Sequence, residues 1–159
     1  HTATAARRRE RSGGMSAQGL EVIDRTVQAT HEWLNQIAAG MGVDDRRRAL
    51  RILRATLHAI RDHLSHDAAA DFAAQMPLLV RGVYYEGWRP ATTPLAGRDA
   101  EGFLDRVRAA LPSEERDAPD LAEDVGEVFR TLNSHISFGE IARTRASLPE
   151  PIRALWAAP

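Results

Sequence analysis

The sequence predicts an all-α fold, a helical bundle made of two tandem, duplicated helical units. Three observations predict it. Apolar residues recur at three- and four-residue steps through most of the chain. No stretch alternates apolar and polar residues over the length of a strand. The chain also repeats itself. Residues 57–84, LHAIRDHLSHDAAADFAAQMPLLVRGVY, lie over residues 129–156, FRTLNSHISFGEIARTRASLPEPIRALW, without a gap. His63/His135, Ser65/Ser137, Ala70/Ala142, Ala74/Ala146, Pro77/Pro149 and Arg81/Arg153 are identical pairs. Leu57/Phe129, Ile60/Leu132, Leu64/Ile136, Val80/Ile152 and Tyr84/Trp156 match in kind. Upstream, Trp33-Leu34 falls over Phe103-Leu104 and Asp44-Asp45-Arg46 over Glu114-Glu115-Arg116, with two extra residues near Asp117–Asp120 in the second copy, the offset changing from 72 to 70.

The elements follow in order. Residues 1–14, HTATAARRRERSGG, are polar, lack periodicity and end in Gly-Gly. They read as a disordered tail, or as non-native sequence ahead of Met15. Their Arg7, Arg8, Arg9 and Arg11 are the one feature there that would suit phosphate. Residues 15–159 read as a single all-α domain, with unit one at about 20–88, a linker at about 87–98 and unit two at about 99–157. The first helix carries Ile23, Val27, Leu34, Ile37 and Met41 on one face. Asp44 is the expected N-cap of a long second helix, with Leu50, Leu53, Leu57, Ile60 and Leu64 as its stripe. Ser65 caps a short helix, and Pro77 opens another, where a missing N–H costs nothing. The linker GWRPATTPLAG is rich in Pro and Gly. Unit two then repeats the plan. Phe103, Leu104, Val107 and Leu111 mark its first helix, Val125, Phe129, Leu132 and Ile136 its long one, and Ser137 with Glu140 offers an S-x-x-E capping box before Pro149.

Composition removes several classes of function. The chain has no cysteine, which excludes disulfides, thiolate metal sites and thiol nucleophiles. All 21 basic residues are arginine, which excludes Schiff-base and P-loop lysine chemistry. The formal net charge of −1 gives no bulk attraction for nucleic acid or a membrane. No apolar run reaches the length of a membrane span, and no signal peptide is visible, so a cytoplasmic location is expected. No Gly-rich phosphate loop, G-x-S-x-G or H-E-x-x-H occurs, for His31-Glu32 has Asn35 where the second histidine would stand.

Three stretches, NQIAAGMGVDDRRRALRILRATLHAIRDHLS, AAQMPLLVRGVYYEGWRP and HISFGEIARTRASLPEPIRALW, resemble the bacterial DUF2267 family, a domain of unknown function. The resemblance covers roughly residues 20–157, and the Tyr84-Tyr85-Glu86-Gly87-Trp88 run is its most specific part. It implies a small bacterial helical protein and brings no catalytic residues.

The aromatic run defines the candidate site. Tyr84 falls in phase with Val80 and Val83 and over Trp156, so it belongs to the core. Arg81, Tyr85 and Trp88 fall on the other face, where unit two keeps Arg153 but has Ala157 in place of Tyr85. They are the candidate ligand or partner face, the alternative being rings packed beneath the linker or against the other unit. His58, His63 and His66 form the dense histidine cluster, with Asp62 a further donor, but they straddle a helix end, where histidine is favoured on dipole grounds alone. No metal and no cofactor is expected. Charge is lopsided: unit one carries Arg46, Arg47, Arg48, Arg51, Arg54 and Arg61 where the matching stretch of unit two is rich in Glu and Asp, which reads as two solvated faces or as halves of opposite sign that attract each other or a second molecule.

The function these features point to is a non-enzymatic interaction or regulatory protein, with a protein partner or self-association. The alternatives are an enzyme or small-molecule binder with a site between the units, or a nucleic-acid-associated protein using the Arg-rich helix. Nucleic acid is not the expected partner, because the acidic stretch blunts the arginines. A deep polar pocket with perturbed groups would favour the enzyme, and an exposed apolar patch would favour the partner.

Overall fold

The structure, a computed structural model, describes residues 19–159. The tail expected at residues 1–14 lies outside the described residues. Within them there are nine α-helices, a single 3₁₀ turn and no strand. They are α1 Glu21–Met41, α2 Arg46–His63, α3 His66–Ala73 and α4 Leu78–Tyr85, then the 3₁₀ turn Pro90–Thr92, then α5 Ala100–Ala109, α6 Ser113–Arg116, α7 Leu121–His135, α8 Phe138–Ala146 and α9 Glu150–Arg153.

Local chemistry sets most boundaries. α1 stops at Gly42, whose φ of 70° is the left-handed conformation that closes a helix and that glycine adopts without strain. The cap of α2 is Asp45, whose carboxylate accepts from the N–H groups of Arg47 and Arg48. The sequence points one residue earlier, to Asp44. Both aspartates are adequate caps, and composition cannot choose between neighbours. Ser65 caps α3 by accepting from Ala68 N–H, and Ser137 caps α8 by accepting from Glu140 N–H. The capping box expected at Ser137 is only half formed, because the Glu140 carboxylate pairs forward with Arg143 at 2.6 Å. α4 ends at Tyr85, and Gly87 turns the chain away with φ 70°. The long helix expected in unit two from its stripe Val125, Phe129, Leu132 and Ile136 is α7, and the acidic stretch before it holds the short α6 and a break at Asp117–Asp120, the position of the two extra residues.

α2 is the central helix. It packs against α1, α4, α5 and α7, and is buried nearly all round. Its expected stripe Leu53, Leu57, Ile60 is there, with Leu50 at the margin. A second face, Ala49, Ile52, Ala55, Thr56 and Ala59, is equally buried. Alanine there lets neighbouring helices approach closely enough to enclose it. An aromatic series then crosses the core from one unit to the other. Tyr84 meets Phe72 edge-on at 5.9 Å, Phe72 meets Trp156 at 6.0 Å, and Trp156 stacks on Phe129 at 4.8 Å. Phe129 in turn lies near Phe103, at 6.3 Å.

The two halves share details. α2, α3 and α4 are followed in the same order by α7, α8 and α9. The Arg81 guanidinium donates to the carbonyls of Ala73, Ala74 and Met76 at 3.0, 3.4 and 3.1 Å. The Arg153 guanidinium donates to those of Arg145, Ala146 and Leu148 at 2.8, 3.4 and 2.9 Å. In each case an arginine on one helix satisfies the terminal carbonyls left open at the end of the helix before it. The opposite charges of the halves also meet. Arg48 bonds Asp124 at 3.4 Å, and the Arg51 guanidinium forks onto Glu115, with Nε at 3.0 and 3.2 Å from the two oxygens.

Candidate functional site

The face expected from Arg81, Tyr85 and Trp88 is divided by the structure. Arg81 spends its guanidinium on the three carbonyls just described, so it is a helix clamp and stacks on neither ring. Tyr85 and Trp88 do meet, with ring centres 5.5 Å apart. Trp88, however, lies beyond the end of α4, carried by the turn at Gly87. Both rings are half-buried. Tyr85 leans edge-on against Tyr84 at 5.1 Å, and Trp88 meets His66 edge-on at 6.0 Å. The indole N–H of Trp88 is covered and makes no hydrogen bond among the described residues.

Every histidine of the cluster is held by a backbone carbonyl. His58 donates from Nε2 to Val83 O at 2.7 Å, and His63 from Nδ1 to Ala59 O at 2.7 Å. His66 donates from Nε2 to Pro90 O at 2.7 Å and Thr93 O at 2.9 Å, tying α3 to the linker. Among the described residues no group of three or more His, Asp or Glu could hold a metal ion. Burial lowers the pKa of His58 below its ordinary 6.5, and nearby Arg61 adds to this, so the ring is neutral at pH 7.

Sequence reasoning passed over the most constrained polar group. Arg61, Asp62 and Arg106 form a bridge between the units. Arg61 and Asp62 are both buried. Arg61 Nε donates to Asp62 Oδ1 at 2.8 Å and its Nη1 to the carbonyls of Tyr84 and Glu86, both at 2.8 Å. Arg106 of α5 donates from Nη2 to Asp62 Oδ2 at 2.8 Å. The Asp62 carbonyl accepts from Leu95 N–H at 2.7 Å, anchoring the linker. Burial raises the Asp62 pKa, but the two guanidinium bonds outweigh it and hold the carboxyl below its ordinary 3.8. The signal available in the sequence was the adjacent opposite charges of Arg61 and Asp62, directly after Ile60 of the apolar stripe. Beside this bridge, α2, α5 and the linker enclose an open cavity of about 920 Å³.

A second surface lies at the start of α1. The stripe expected to run from Ile23 to Met41 is buried only from Thr30 onward. Leu20, Val22, Ile23 and Val27 are exposed, at 59%, 63%, 52% and 39%. Ile23 and Val27 continue the helical face of Thr30, Leu34 and Ile37, but at that end of α1 the face is exposed. α1 has 21 residues, whereas α5 has 10. Leu78 and Leu79, at the start of α4, are also exposed, and Leu79 N–H donates to Thr26 Oγ1 at 2.9 Å, which places them beside the overhang.

The arginine helix is largely occupied. Arg48, Arg51 and Arg54 pair with Asp124, Glu115 and Glu86, Arg61 is buried with Asp62, and Arg46 approaches His31 Nδ1 at 3.3 Å. No helix among the described residues is long and apolar enough to cross a membrane.

Residues 30–155 match the family described as Uncharacterized conserved protein (DUF2267). No curated protein matches the chain. The match covers most of the sequence, and the chain belongs to this family.

Proposed function

We propose that this DUF2267 protein is a non-enzymatic interaction module, and that it associates with a second copy of itself through the overhang of α1. The observation that carries the reading is the exposed ridge of Leu20, Ile23 and Val27, bordered by Val22, Leu78 and Leu79. Single exposed aliphatic side chains are ordinary on a protein surface, but a contiguous group of this size is not. A ridge of about two helical turns can cross its own copy about a two-fold axis, each residue meeting the partner's equivalent surface. The polar groups point the same way. Asp62 is held on one oxygen by the buried Arg61 guanidinium and on the other by Arg106, which makes it a structural counter-charge between the two arginines. The histidines spend a ring nitrogen on backbone carbonyls.

Sedimentation velocity over the micromolar to millimolar range tests the proposal. The intact chain is expected to sediment as a dimer at the upper end, and Ile23→Glu as a monomer throughout. A chain that stays monomeric at every concentration would remove the self-docking reading.

A further inference from the structure

The cavity between α2, α5 and the linker is independent of the overhang. Its volume, about 920 Å³, is at the upper end of small-molecule sites. Its walls are small side chains, Ala55 and Ala59 on α2 against Gly102 and Ala109 on α5.

The charges around the cavity are nearly all spent. Glu86 bonds Arg54 at 3.2 Å, and Asp105 pairs with Arg108. Asp62 is bonded on both oxygens, and Arg61 makes three bonds. The exception is Arg106. It gives one amino group to Asp62, its side chain is 48% exposed, and the rest of its guanidinium makes no hydrogen bond among the described residues. Asp62 holds one amino group of this guanidinium, and its other N–H groups remain for an incoming acceptor.

We propose that this cavity binds a small monocarboxylate on an apolar body, the carboxylate on Arg106 and the body against the alanine walls. A single spare guanidinium suits one carboxylate, whereas a phosphate dianion asks for more donors than the cavity supplies. The proposal is of binding without turnover.

Octanoate is a suitable probe, titrated into the isotope-labelled protein and followed by heteronuclear NMR. The expected result is saturable binding, with shifts centred on Arg106 and Ala109 and none at the same sites for octylammonium. Losing a charge-assisted hydrogen bond should weaken binding about tenfold or more in Arg106→Gln. Ala109→Leu fills the cavity from an exposed position, so the fold is retained and binding should fall by a similar factor. Ile23→Glu, on the overhang, should leave it unchanged. The proposal is overturned if octanoate does not saturate, if octylammonium binds equally, or if Arg106→Gln and Ala109→Leu bind as the parent does.

Discussion

Tyr84 and Tyr85 are neighbours in sequence and have separate roles. Tyr84 is fully buried, and its hydroxyl donates to Ala69 O at 2.8 Å. Burial raises the phenol's pKa above its ordinary 10, so it stays a neutral donor. Tyr84→Ala should cost about 3–5 kcal/mol, as large aromatic truncations in cores do. Tyr84→Phe keeps the ring, removes one hydrogen bond to Ala69 O within α3, and should cost about 0.5–1.5 kcal/mol. Tyr85 is half-buried and leans on Tyr84 and Trp88, so Tyr85→Ala should cost about 1–2 kcal/mol. Urea denaturation of the three variants checks the order, and equal losses for Tyr84→Ala and Tyr85→Ala would mean both rings are core. The role of Tyr84 was legible because Trp156 stands at the matching repeat position. That of Arg81 was not, because a side chain that turns back onto main-chain carbonyls leaves no trace in residue periodicity.

Between elements, the Arg61–Asp62–Arg106 bridge joins α2, α4, α5 and the linker. Asp62→Ala would leave the buried Arg61 guanidinium without its counter-charge, at a cost of about 3–5 kcal/mol. Arg106→Ala removes a partly exposed partner and should cost about 1 kcal/mol or less. The bridge also has a pH signature. A carboxyl held below its ordinary 3.8 contributes stability that is present above 3.8 and is lost as pH falls through its folded value. His58, held below 6.5, acts in the same direction at higher pH, since acid must charge a ring that the fold keeps neutral. Burial raises the Asp124 pKa above 3.8, so its protonation favours the fold and opposes the loss. Urea midpoints should therefore fall in two stages, one beginning near pH 6.5 and one below about pH 4, and His58→Gln should flatten the first. The helices themselves were legible from apolar steps and caps. What periodicity could not supply was which stretch of a face has a neighbour. Ile23 and Val27 carry the right pattern and are exposed, while Ala55 and Ala59 look bland and are buried.

At the scale of the whole molecule, we read the chain as a tandem duplication that folds as one domain. The matched caps at Ser65 and Ser137 and the matched clamps of Arg81 and Arg153 support the duplication. An experimental structure should superpose residues 45–84 on 117–156 with the same helix order and directions. Duplication does not imply that either half stands alone. α2 belongs to unit one but is covered by α5 and α7 of unit two, and Phe72 of unit one is packed against Trp156. Cutting the linker apart would expose Ile52, Leu53, Leu57 and Ile60 on a single helix, more apolar surface than one unit can re-bury. Leu132→Ala in α7 and Ile60→Ala in α2 should therefore each lower one common transition, at about 2–5 kcal/mol apiece. Near- and far-ultraviolet circular dichroism should trace the same curve in both variants. A biphasic curve, with Leu132→Ala moving only one phase, would mean that the units fold independently. The cavity between α2 and α5 would then lie between separate domains rather than within a single core.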